Sequence, residues 1–440
     1  MIKKTKYLVI GGGISGSSTA LFLSKETNDF ILVESQDRLG GVIKTDIIDG
    51  YTCENGPNTI LMNNDEIKSL IKDLSLDSQI VFANKNIDNK YFLHKNKILK
   101  FPNSLFSFLT TRLISFSDKI KVMLNFLYFK RSYPIVYDYF KNNFSKAFHD
   151  NIIEPFLNGI FAGDTRKMSL EHTMPKFHVI QKKYKSFFQY LLFNKQNTKS
   201  LPFSIKGGFE KIFDKIHLKL NKNILLNHKV NNIKYENNEY IVSFKNKNII
   251  IAKHIFISIG LSQVFKLLNY QPKKSFVGLY NPIDVFHFGI SEVNIGKKIN
   301  GFGLLSKKSE KKNILGILFN SDIFPHTAPS EYKLYTVLVG GEKQNEICRL
   351  PIEKVLQLVE QELKELFDIK EIAFKKYFRW KRAIPKYNYK LLKNIDNEII
   401  MLSKKYKNIY FQGNYTKGVS VSACVTNSYH LVERITKKIS

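Results

Sequence analysis

Three glycines near the start of the chain, Gly11, Gly13 and Gly16, have the G-x-G-x-x-G spacing that cradles a pyrophosphate. The first glycine permits a tight turn, the second lets the backbone approach the phosphates because it has no Cβ, and the third lets a helix pack closely on a strand. The helix that follows would present free N–H groups to the anion. Glu34, which comes after this helix and a second apolar segment, has the position expected of a carboxylate that binds ribose hydroxyls.

Two short apolar segments flank the glycine turn and must position it. Residues 7–10 and 30–33 are predicted to be buried strands, and residues 17–25 have the apolar spacing of a helix. Strand, glycine turn, helix and a second strand that ends on an acid form the dinucleotide-binding βαβ unit. The alternative is a glycine turn in an unrelated α/β protein, and the position of Glu34 argues against it.

A second glycine-rich turn, Arg38-Leu-Gly-Gly41, comes soon after the ribose acid and indicates which dinucleotide binds. Such a turn suits a flavin, whose extended body continues past the pyrophosphate, whereas a nicotinamide enzyme has no need of it. This pair of motifs resembles the FAD-dependent amine oxidase superfamily. We therefore predict FAD as the cofactor, bound non-covalently because no cysteine lies in a recognised flavin-linking context.

The composition restricts the class of protein. With 440 residues, of which 43% are hydrophobic, the chain can form two or three globular domains. Cys53, Cys348 and Cys424 have no C-x-x-C spacing, so neither a metal site nor a redox pair is predicted. The net charge of +30 suits nucleic acid, anionic lipid or a polycarboxylate substrate, unless it reflects a drift in composition along the whole chain. We predict no nucleic-acid partner because no recognition module is visible.

Hydropathy bears on the location of the protein. No apolar run reaches the roughly 18 residues that a spanning helix needs, and no room for a signal peptide precedes the first predicted strand. We therefore predict a cytoplasmic protein, either soluble or peripheral on the inner face of a membrane.

Residues 87–201 are richer in aromatic side chains and are predicted to be mostly helical. Basic residues are interspersed among them, namely Lys119, Lys121, Lys130, Arg131 and Lys141. Aromatic and basic residues together suit a surface at the headgroup layer of a membrane. A helical domain that buries its aromatic residues is an equal alternative.

Several further segments resemble the protoporphyrinogen oxidase family, in the right order over almost the whole chain. The two most specific are residues 152–164, with Glu-Pro-Phe and Phe-Ala-Gly-Asp, and residues 380–387, with Ala-Ile-Pro. Residues 54–59 match the Gly-Pro turn of that family, residues 204–209 match its Gly-Gly step, and residues 413–421 match its C-terminal flavin segment.

The glycine motifs and this resemblance together imply a set of site residues. The implied cofactor-binding residues are Gly11, Gly12, Gly13, Ile14, Ser15, Gly16, Glu34, Ser35, Arg38, Gly40, Gly41, Val42, Gly56, Pro57, Asn58, Thr59, Val230, Gly413, Asn414, Val419, Ser420 and Val421. The implied substrate-binding residues are Lys90, Gly163, Phe302, Leu304 and Phe319. For the three apolar side chains of the second set, packing in a core is the alternative.

The fold class that the resemblance implies is α/β with three domains. A Rossmann-like FAD-binding domain would comprise residues 1–86, 202–262 and 396–440. A helical domain, membrane-associating in one of the two interpretations above, would comprise residues 87–201. An antiparallel-sheet substrate domain would comprise residues 263–395. The oligomeric state stays open between a monomer and a homodimer.

The resemblance also implies an activity, the stepwise removal of hydride from protoporphyrinogen IX, with six electrons in all and oxygen as the acceptor. No catalytic side chain is predicted, because the chemistry is centred on the flavin. A more distant alternative is another flavoenzyme of the superfamily, such as a desaturase, which should lack the Phe-Ala-Gly-Asp and Ala-Ile-Pro segments.

One residue departs from the family pattern. The family commonly has an arginine that binds a propionate where this chain has Lys90, and lysine keeps the charge but lacks the bidentate fork. The alternative substrate is therefore coproporphyrinogen III, which carries four carboxylates and could exploit a more basic pocket.

Overall fold

The computed structural model describes residues 2–85, 87, 89–127, 132–184, 186, 189–190, 200–274, 276, 278–416 and 418–439. The strands are, in chain order, β1 (Ile2–Ile10), β2 (Phe30–Val33), β3 (Thr45–Ile48), β4 (Tyr51–Glu54), β5 (Ile60–Met62), β6 (Ile80–Phe82), β7 (Lys90–His94), β8 (Lys97–Lys100), β9 (Leu201–Ile205), β10 (Ile224–Leu225), β11 (Val230–Glu236), β12 (Glu239–Phe244), β13 (Ile249–Ile257), β14 (Tyr280–Ser291), β15 (Gly303–Leu305), β16 (Ile314–Phe319), β17 (Tyr332–Gly340), β18 (Phe374–Pro385) and β19 (Ile409–Phe411). The α-helices are α1 (Ile14–Leu23), α2 (Asp65–Asp73), α3 (Leu105–Thr110), α4 (Phe116–Leu127), α5 (Val136–Asn143), α6 (Lys146–Phe148), α7 (Glu154–Phe161), α8 (Leu170–Thr173), α9 (Pro175–Lys183), α10 (Lys211–Leu220), α11 (Leu261–Leu267), α12 (Asn320–Ile323), α13 (Ile352–Phe367), α14 (Tyr389–Lys405) and α15 (Val421–Ile439).

The first large sheet carries the predicted βαβ unit. Its strand order is β10-β2-β1-β13-β12-β11, and β19 also pairs with β13. The strands from β10 to β13 and β19 are parallel, whereas β12 and β11 are antiparallel. Its central strands are continuous apolar runs because both faces are covered, as expected of a parallel sheet. The C-terminal helix α15 packs against α1, so the first and last helices lie together.

The second large sheet has the order β18-β14-β17-β16-β15-β7-β8, and its neighbours are antiparallel except for β15 and β7. Helix α13 covers one face with Val355, Val359, Leu363 and Phe367, all fully buried. Their regular i, i+4 spacing places them on one side of the helix. The antiparallel sheet that the sequence predicts for the substrate domain is therefore present.

Two predicted domain boundaries do not follow the secondary structure. Strands β7 and β8 belong to the second sheet and not to the helical domain, where the sequence analysis places them, because β7 pairs with β15 from a distant part of the chain. The boundary predicted between residues 395 and 396 falls inside α14. The sequence Asp49-Gly50 between two strand-like segments predicts a hairpin turn. The structure confirms it: both residues have positive φ, 50° and 80°, between the antiparallel strands β3 and β4.

The helical layer from α3 to α9 divides its apolar residues between the inside and the surface. Tyr139, Phe140 and Phe144 are buried in the core, as the packing alternative predicts. Apolar side chains of α3 and α4 are exposed instead, namely Leu105, Phe106, Leu109, Phe116, Ile120, Met123 and Leu124. Lys130 and Arg131 lie outside the described residues. Among the helices that the structure describes, none combines the length and the apolar character that a transmembrane span requires.

Replacing Gly16 with alanine is expected to destabilise the first sheet. A Cβ at this position would lie 1.8 Å from the carbonyl oxygen of Gly11, a backbone atom that cannot move without opening the turn. Overpacking of this kind costs about 1–3 kcal/mol. Gly13→Ala is the control, since its Cβ would have no heavy atom within 4 Å. Thermal unfolding of the FAD-free chains should give a lower midpoint for Gly16→Ala only; equal midpoints would contradict this account of the turn.

Candidate functional site: a cradle for FAD

The two glycine turns of the sequence meet in space. The Gly40 N–H donates to the carbonyl oxygen of Gly12 at 2.8 Å, and a Cβ on Gly41 would lie 3.3 Å from Cα of Gly13. Gly40 and Gly41 have φ of 109° and 58°, in the region that favours glycine. The two motifs therefore form one continuous backbone wall beside the start of α1.

The phosphate end of this wall is open. Helix α1 begins after Gly13 without a side-chain cap and without an acidic residue in its first turn. Its first N–H groups and positive dipole end therefore face a position that suits an anion. A Cβ on Gly13 would enter empty space, which is the volume that a pyrophosphate needs.

Glu34 follows β2 directly and lies at the ribose end of the same wall. Its Oε2 accepts from the N–H of Gly12 at 2.6 Å, and its Oε1 accepts from Gln36 N–H and Ser35 Oγ, both at 2.9 Å. The side chain is 8% exposed. The N–H of His228 donates to the carbonyl oxygen of Glu34 at 2.7 Å, so the segment that leads into β11 and Val230 lies beside the acid. The carboxylate of Glu34 is an acceptor that fits the ribose hydroxyls of the adenosine part of FAD.

Arg38 contacts the protein itself. Its guanidinium donates to the carbonyl oxygens of Leu39, Gly41 and Ile43 and lies 3.3 Å from a carboxylate oxygen of Glu210. These bonds hold the second glycine turn closed. Arg38 thereby shapes the cradle through its backbone contacts.

The Gly-Pro turn after β4 lies against the second glycine turn. A Cβ on Gly56 would be 2.3 Å from the carbonyl oxygen of Val42, so only glycine fits this approach. The buried Glu54 carboxylate accepts from Phe209 N–H at 2.8 Å and from Thr45 Oγ at 2.9 Å. Burial raises the pKa of Glu54 to about 8, so the group is mostly protonated at neutral pH.

The same turn touches the second sheet. The indole N–H of Trp380 donates to the carbonyl oxygen of Asn55 at 2.6 Å, and the amide of Asn320 donates to Asn58 Oδ1 at 2.9 Å. The side-chain oxygens of Asn55 and Asn320 are buried and have no partner among the described residues. Buried polar atoms without a partner are costly, so these two atoms fit the polar edge of a flavin ring.

The Ala-Gly-Asp segment ends α7 and joins the helical layer to the second sheet. Ala162 has φ of 48°, and its carbonyl oxygen accepts from Glu342 N–H at 2.7 Å and from the Asn281 amide at 2.9 Å. Gly163 follows in this turn, where a Cβ would meet the end of Met168. The structure therefore places Gly163 where the helical layer meets the second sheet.

The Ala-Ile-Pro segment joins the same region. The carbonyl oxygen of Tyr387 accepts from Ser169 N–H at 2.8 Å, and its ring lies 4.8 Å from the ring of Phe161. The two segments most specific for the family resemblance, which are far apart in sequence, are thus in contact.

The C-terminal segment is bonded to helix α1 and to the residue after β13 by polar contacts that the sequence did not indicate. The amide of Gln412 donates to Ser258 Oγ at 2.6 Å and to Thr19 Oγ at 2.8 Å. Ser428 Oγ donates to the carbonyl oxygen of Ser15 at 2.9 Å. These contacts place Gly413, Asn414 and Val419 to Val421 near the cradle. They join residues that are far apart in the chain, so no local pattern could reveal them.

Of the predicted substrate residues, Lys90 and Phe302 lie together. Lys90 Nζ is 5.7 Å from the centre of the Phe302 ring, and both side chains are half-buried. Leu304 and Phe319 are 1% and 0% exposed in the core between the second sheet and α13. Phe319 there contacts Phe367. Their assignment to a substrate pocket is corrected: the packing alternative describes both residues.

Glu34→Ala is expected to weaken FAD binding. A hydrogen bond from ribose hydroxyls to a charged group contributes about 1.5–3 kcal/mol, which is roughly a 10- to 150-fold increase in Kd. The control is Glu26→Ala, which removes one negative charge from a residue after α1 that is part of neither glycine turn. Flavin fluorescence titration of the FAD-free proteins measures both Kd values, and equal Kd values for Glu34→Ala and the control would contradict the role of Glu34.

The flavin is expected to be bound non-covalently. Acid precipitation should therefore release the yellow flavin into the supernatant, and colour in the pellet would contradict non-covalent binding.

A family comparison matches almost the entire chain. The model of the flavin containing amine oxidoreductase family covers residues 14–435. Protoporphyrinogen oxidase 2, chloroplastic/mitochondrial, of Arabidopsis thaliana is 24% identical over 471 aligned positions, which cover 95% of this chain and 91% of the relative. Coproporphyrinogen III oxidase of Bacillus subtilis (strain 168) is 25% identical over 456 positions, which cover 96% of both chains.

Solved structures share the fold over the same length. A crystal structure from Exiguobacterium sp. 255-15 superposes with a TM-score of 0.84 at 22% identity and covers 99% of both chains. Wild-type putrescine oxidase bound to putrescine superposes with a TM-score of 0.69 at 13% identity and covers 99% of both chains. These likenesses show the same arrangement of sheets and helices.

Proposed function

The chain belongs to the flavin containing amine oxidoreductase family and is an FAD-dependent oxidoreductase, and we propose that it oxidises protoporphyrinogen IX to protoporphyrin IX in heme biosynthesis. Oxygen is the proposed electron acceptor. Full-length similarity to proteins named for porphyrinogen oxidation supports this substrate class.

One observation carries the proposal. The Ala-Gly-Asp turn at Ala162 and the strand that contains Ala383 and Ile384 pack in one apolar cluster with the Trp380 ring. The indole N–H of Trp380 in turn binds the Gly-Pro turn of the cofactor cradle. The segments that resemble porphyrinogen oxidases are therefore assembled beside the residues that would hold the flavin.

The chemistry is divided between the cofactor and the chain. FAD, when bound, supplies the capacity to accept hydride equivalents. The chain holds it through the N–H groups at the start of α1 and through Glu34, and it offers an apolar surface that includes Leu338 and Trp380 to a flat macrocycle. Lys90, at the start of β7, offers a positive charge to a substrate carboxylate.

Coproporphyrinogen III is the second candidate substrate. Lys90 stands where the protoporphyrinogen oxidase family commonly has an arginine. The relative from Bacillus subtilis is named for coproporphyrinogen oxidation. A substrate with four carboxylates gains more from a basic surface than a substrate with two.

A direct assay distinguishes the candidates. The purified FAD-bound protein is mixed in air with protoporphyrinogen IX or coproporphyrinogen III, and porphyrin fluorescence is followed. We expect the larger kcat/KM with protoporphyrinogen IX. A larger value with coproporphyrinogen III would establish the alternative, and no rate above the flavin-free control with either substrate would refute the proposal.

Lys90→Met is expected to raise KM for the porphyrinogen roughly ten-fold, because it removes one partner of a partly desolvated ion pair. kcat should change less, since hydride leaves from the ring and the lost contact is one of uniform binding. Lys90→Arg should keep or lower KM, because its fork binds both carboxylate oxygens. The control is Lys100→Met on the adjacent strand β8, which removes an exposed charge. An unchanged KM for both porphyrinogens in Lys90→Met would contradict the role of Lys90.

We further propose that α3 and α4 contact one leaflet of a membrane. Phe106, Phe116 and Leu124 are 77%, 71% and 60% exposed, and large apolar side chains exposed together mark an interaction surface. Arg112 and Lys121 lie on the same two-helix segment and suit anionic headgroups.

Replacing Phe106, Phe116 and Leu124 together with serine is expected to abolish flotation with anionic liposomes, because it removes the inserting side chains. The control replaces Leu218, Val293 and Ile400, which are exposed elsewhere on the surface, with serine. Flotation is measured at low and high salt. Wild-type protein that never floats, or a control that loses flotation equally, would contradict the membrane contact.

A further inference from the structure

A cleft of about 730 Å³ lies beside α3 and α4 and contains none of the predicted cofactor or substrate residues. Three segments that are distant in sequence form it. They are the β7–β8 turn with His94, Lys95 and Asn96, the stretch from Arg112 to Ser115 with Asp118, and the loop with Lys307 and residues 309–311. Ala147 and Asn151 complete the lining.

The cleft is separate from the proposed substrate position. Lys90 and His94 are at opposite ends of β7, an even number of positions apart, so their side chains project from the same face of the strand, with Phe92 between them. Phe92 is 1% exposed and packs against the ring of Phe101. The buried Phe92 thus stands between the two ends of β7, and the cleft lining contains neither Lys90 nor Phe302.

The lining carries a surplus of positive charge. Lys95, Arg112, Lys307 and Lys311 face two carboxylates, Asp118 and Glu310. Both carboxylates already accept hydrogen bonds from the cleft wall: Asp118 from Ser115 Oγ at 2.6 Å, and Glu310 from Asn96 N–H at 3.1 Å. Within the described part of the chain, Lys95, Arg112 and Lys311 have no carboxylate within 4.0 Å. Three cations therefore remain available to an anion.

A fourth cation is fixed in the wall of the cleft. The Lys307 side chain is 13% exposed, its Nζ donates to Asn151 Oδ1 at 2.6 Å, and it lies 4.0 Å from Glu310 and 3.4 Å from His94 Nδ1. Burial lowers the pKa of Lys307, and the nearby carboxylates of Glu310, Glu154 and Asp150 offset only part of that cost. A half-buried, oriented ammonium group surrounded by exposed cations is an arrangement that suits a single phosphate.

Exposed apolar residues flank one part of the cleft lining in sequence. Arg112 and Ser115 line the cleft, and Phe116, the next residue along the chain, is 71% exposed at the start of α4. Leu105, Phe106 and Leu109 are exposed on α3, which packs against α4. A ligand that fits both parts has an anionic head and apolar chains.

We propose that this cleft binds the phosphate of an anionic phospholipid, with the acyl chains along the exposed apolar residues of α3 and α4. The proposal rests on the membrane contact of α3 and α4 proposed above, and it specifies the class of lipid that the cleft would bind at that contact. A soluble phosphate ester shares the phosphate group, and the test separates it from the lipid.

The test is isothermal titration of the FAD-bound full-length protein with dihexanoylphosphatidylglycerol below its micelle concentration. Glycerol 3-phosphate, which has the phosphate but no acyl chains, and dihexanoylphosphatidylcholine, which has no net charge, are titrated in parallel. The cleft variant combines Lys95→Gln, Arg112→Gln and Lys311→Gln. The control variant removes the same charge far from the cleft with Lys234→Gln, Lys266→Gln and Lys404→Gln, which are exposed positions.

We expect the cleft variant to bind the phosphatidylglycerol about ten-fold more weakly than wild type, and the control variant to differ by less than about two-fold, because only the first removes charges that meet the phosphate. Glycerol 3-phosphate and the phosphatidylcholine should bind wild type about ten-fold more weakly than the phosphatidylglycerol, since each lacks one part of the recognised group. Equal losses in both variants would overturn the proposal. So would equal affinity for glycerol 3-phosphate, which would assign the cleft to a soluble phosphate ester, or no binding of any probe.

Two further measurements keep this test separate from the proposed function. Porphyrinogen oxidation by the cleft variant should match wild type, because none of the three residues belongs to the cofactor cradle. If the wild-type protein shows no porphyrinogen oxidation, the enzyme proposal is refuted, but the result of the lipid titration still applies to the cleft. The short-chain lipid is monomeric, so it tests the cleft without a membrane. If the protein binds this lipid but does not float with liposomes, only the proposed membrane contact is refuted. If it floats with liposomes but does not bind the lipid, the proposed phosphate site in the cleft is refuted.

Discussion

The absence of a side chain at a few glycines in two turns is the constraint on which the rest of the structure depends. A Cβ on Gly16 would lie 1.8 Å from the Gly11 carbonyl oxygen, and a Cβ on Gly56 would lie 2.3 Å from the Val42 carbonyl oxygen. These approaches bring the start of α1 and the two later turns into one backbone wall. Gly13 differs, because its Cβ would meet nothing, and the space it leaves is the part of the cradle that a phosphate can occupy.

Polar contacts then attach distant parts of the chain to this wall. Gln412 binds both Ser258 and Thr19, and the indole N–H of Trp380 binds Asn55, so three segments converge on the N-terminal part of the chain. Each of these bonds is partly or fully buried, where losing one partner costs more than the bond itself contributes. These bonds therefore help to fix the arrangement of the two sheets beside the candidate cofactor cradle.

The aromatic residues of the helical layer are of two kinds: some pack in the core, and others are exposed, as the membrane-surface interpretation requires. Tyr139 and Phe140 pack inside and join the layer to the core, whereas Phe106 and Phe116 face outward. The same helices can thus hold the fold together and present an apolar surface beside a basic cleft. The composition alone does not show where the excess positive charge lies. In the structure, part of it lies in the cleft lining, at Lys95, Arg112 and Lys311.

The sequence by itself determined the βαβ unit, the second glycine turn, the Asp49-Gly50 hairpin and the family, because each depends on residues close together in the chain whose types admit few conformations. It could not determine that β7 and β8 join the second sheet, since the pairing of β7 with β15 depends on contacts between distant parts of the chain. Nor could it distinguish a pocket from a core at Leu304 and Phe319, because an apolar side chain on a strand suits either face until α13 covers one of them. The tertiary structure decided these points, since burial is a property of what packs on a residue and not of the residue type.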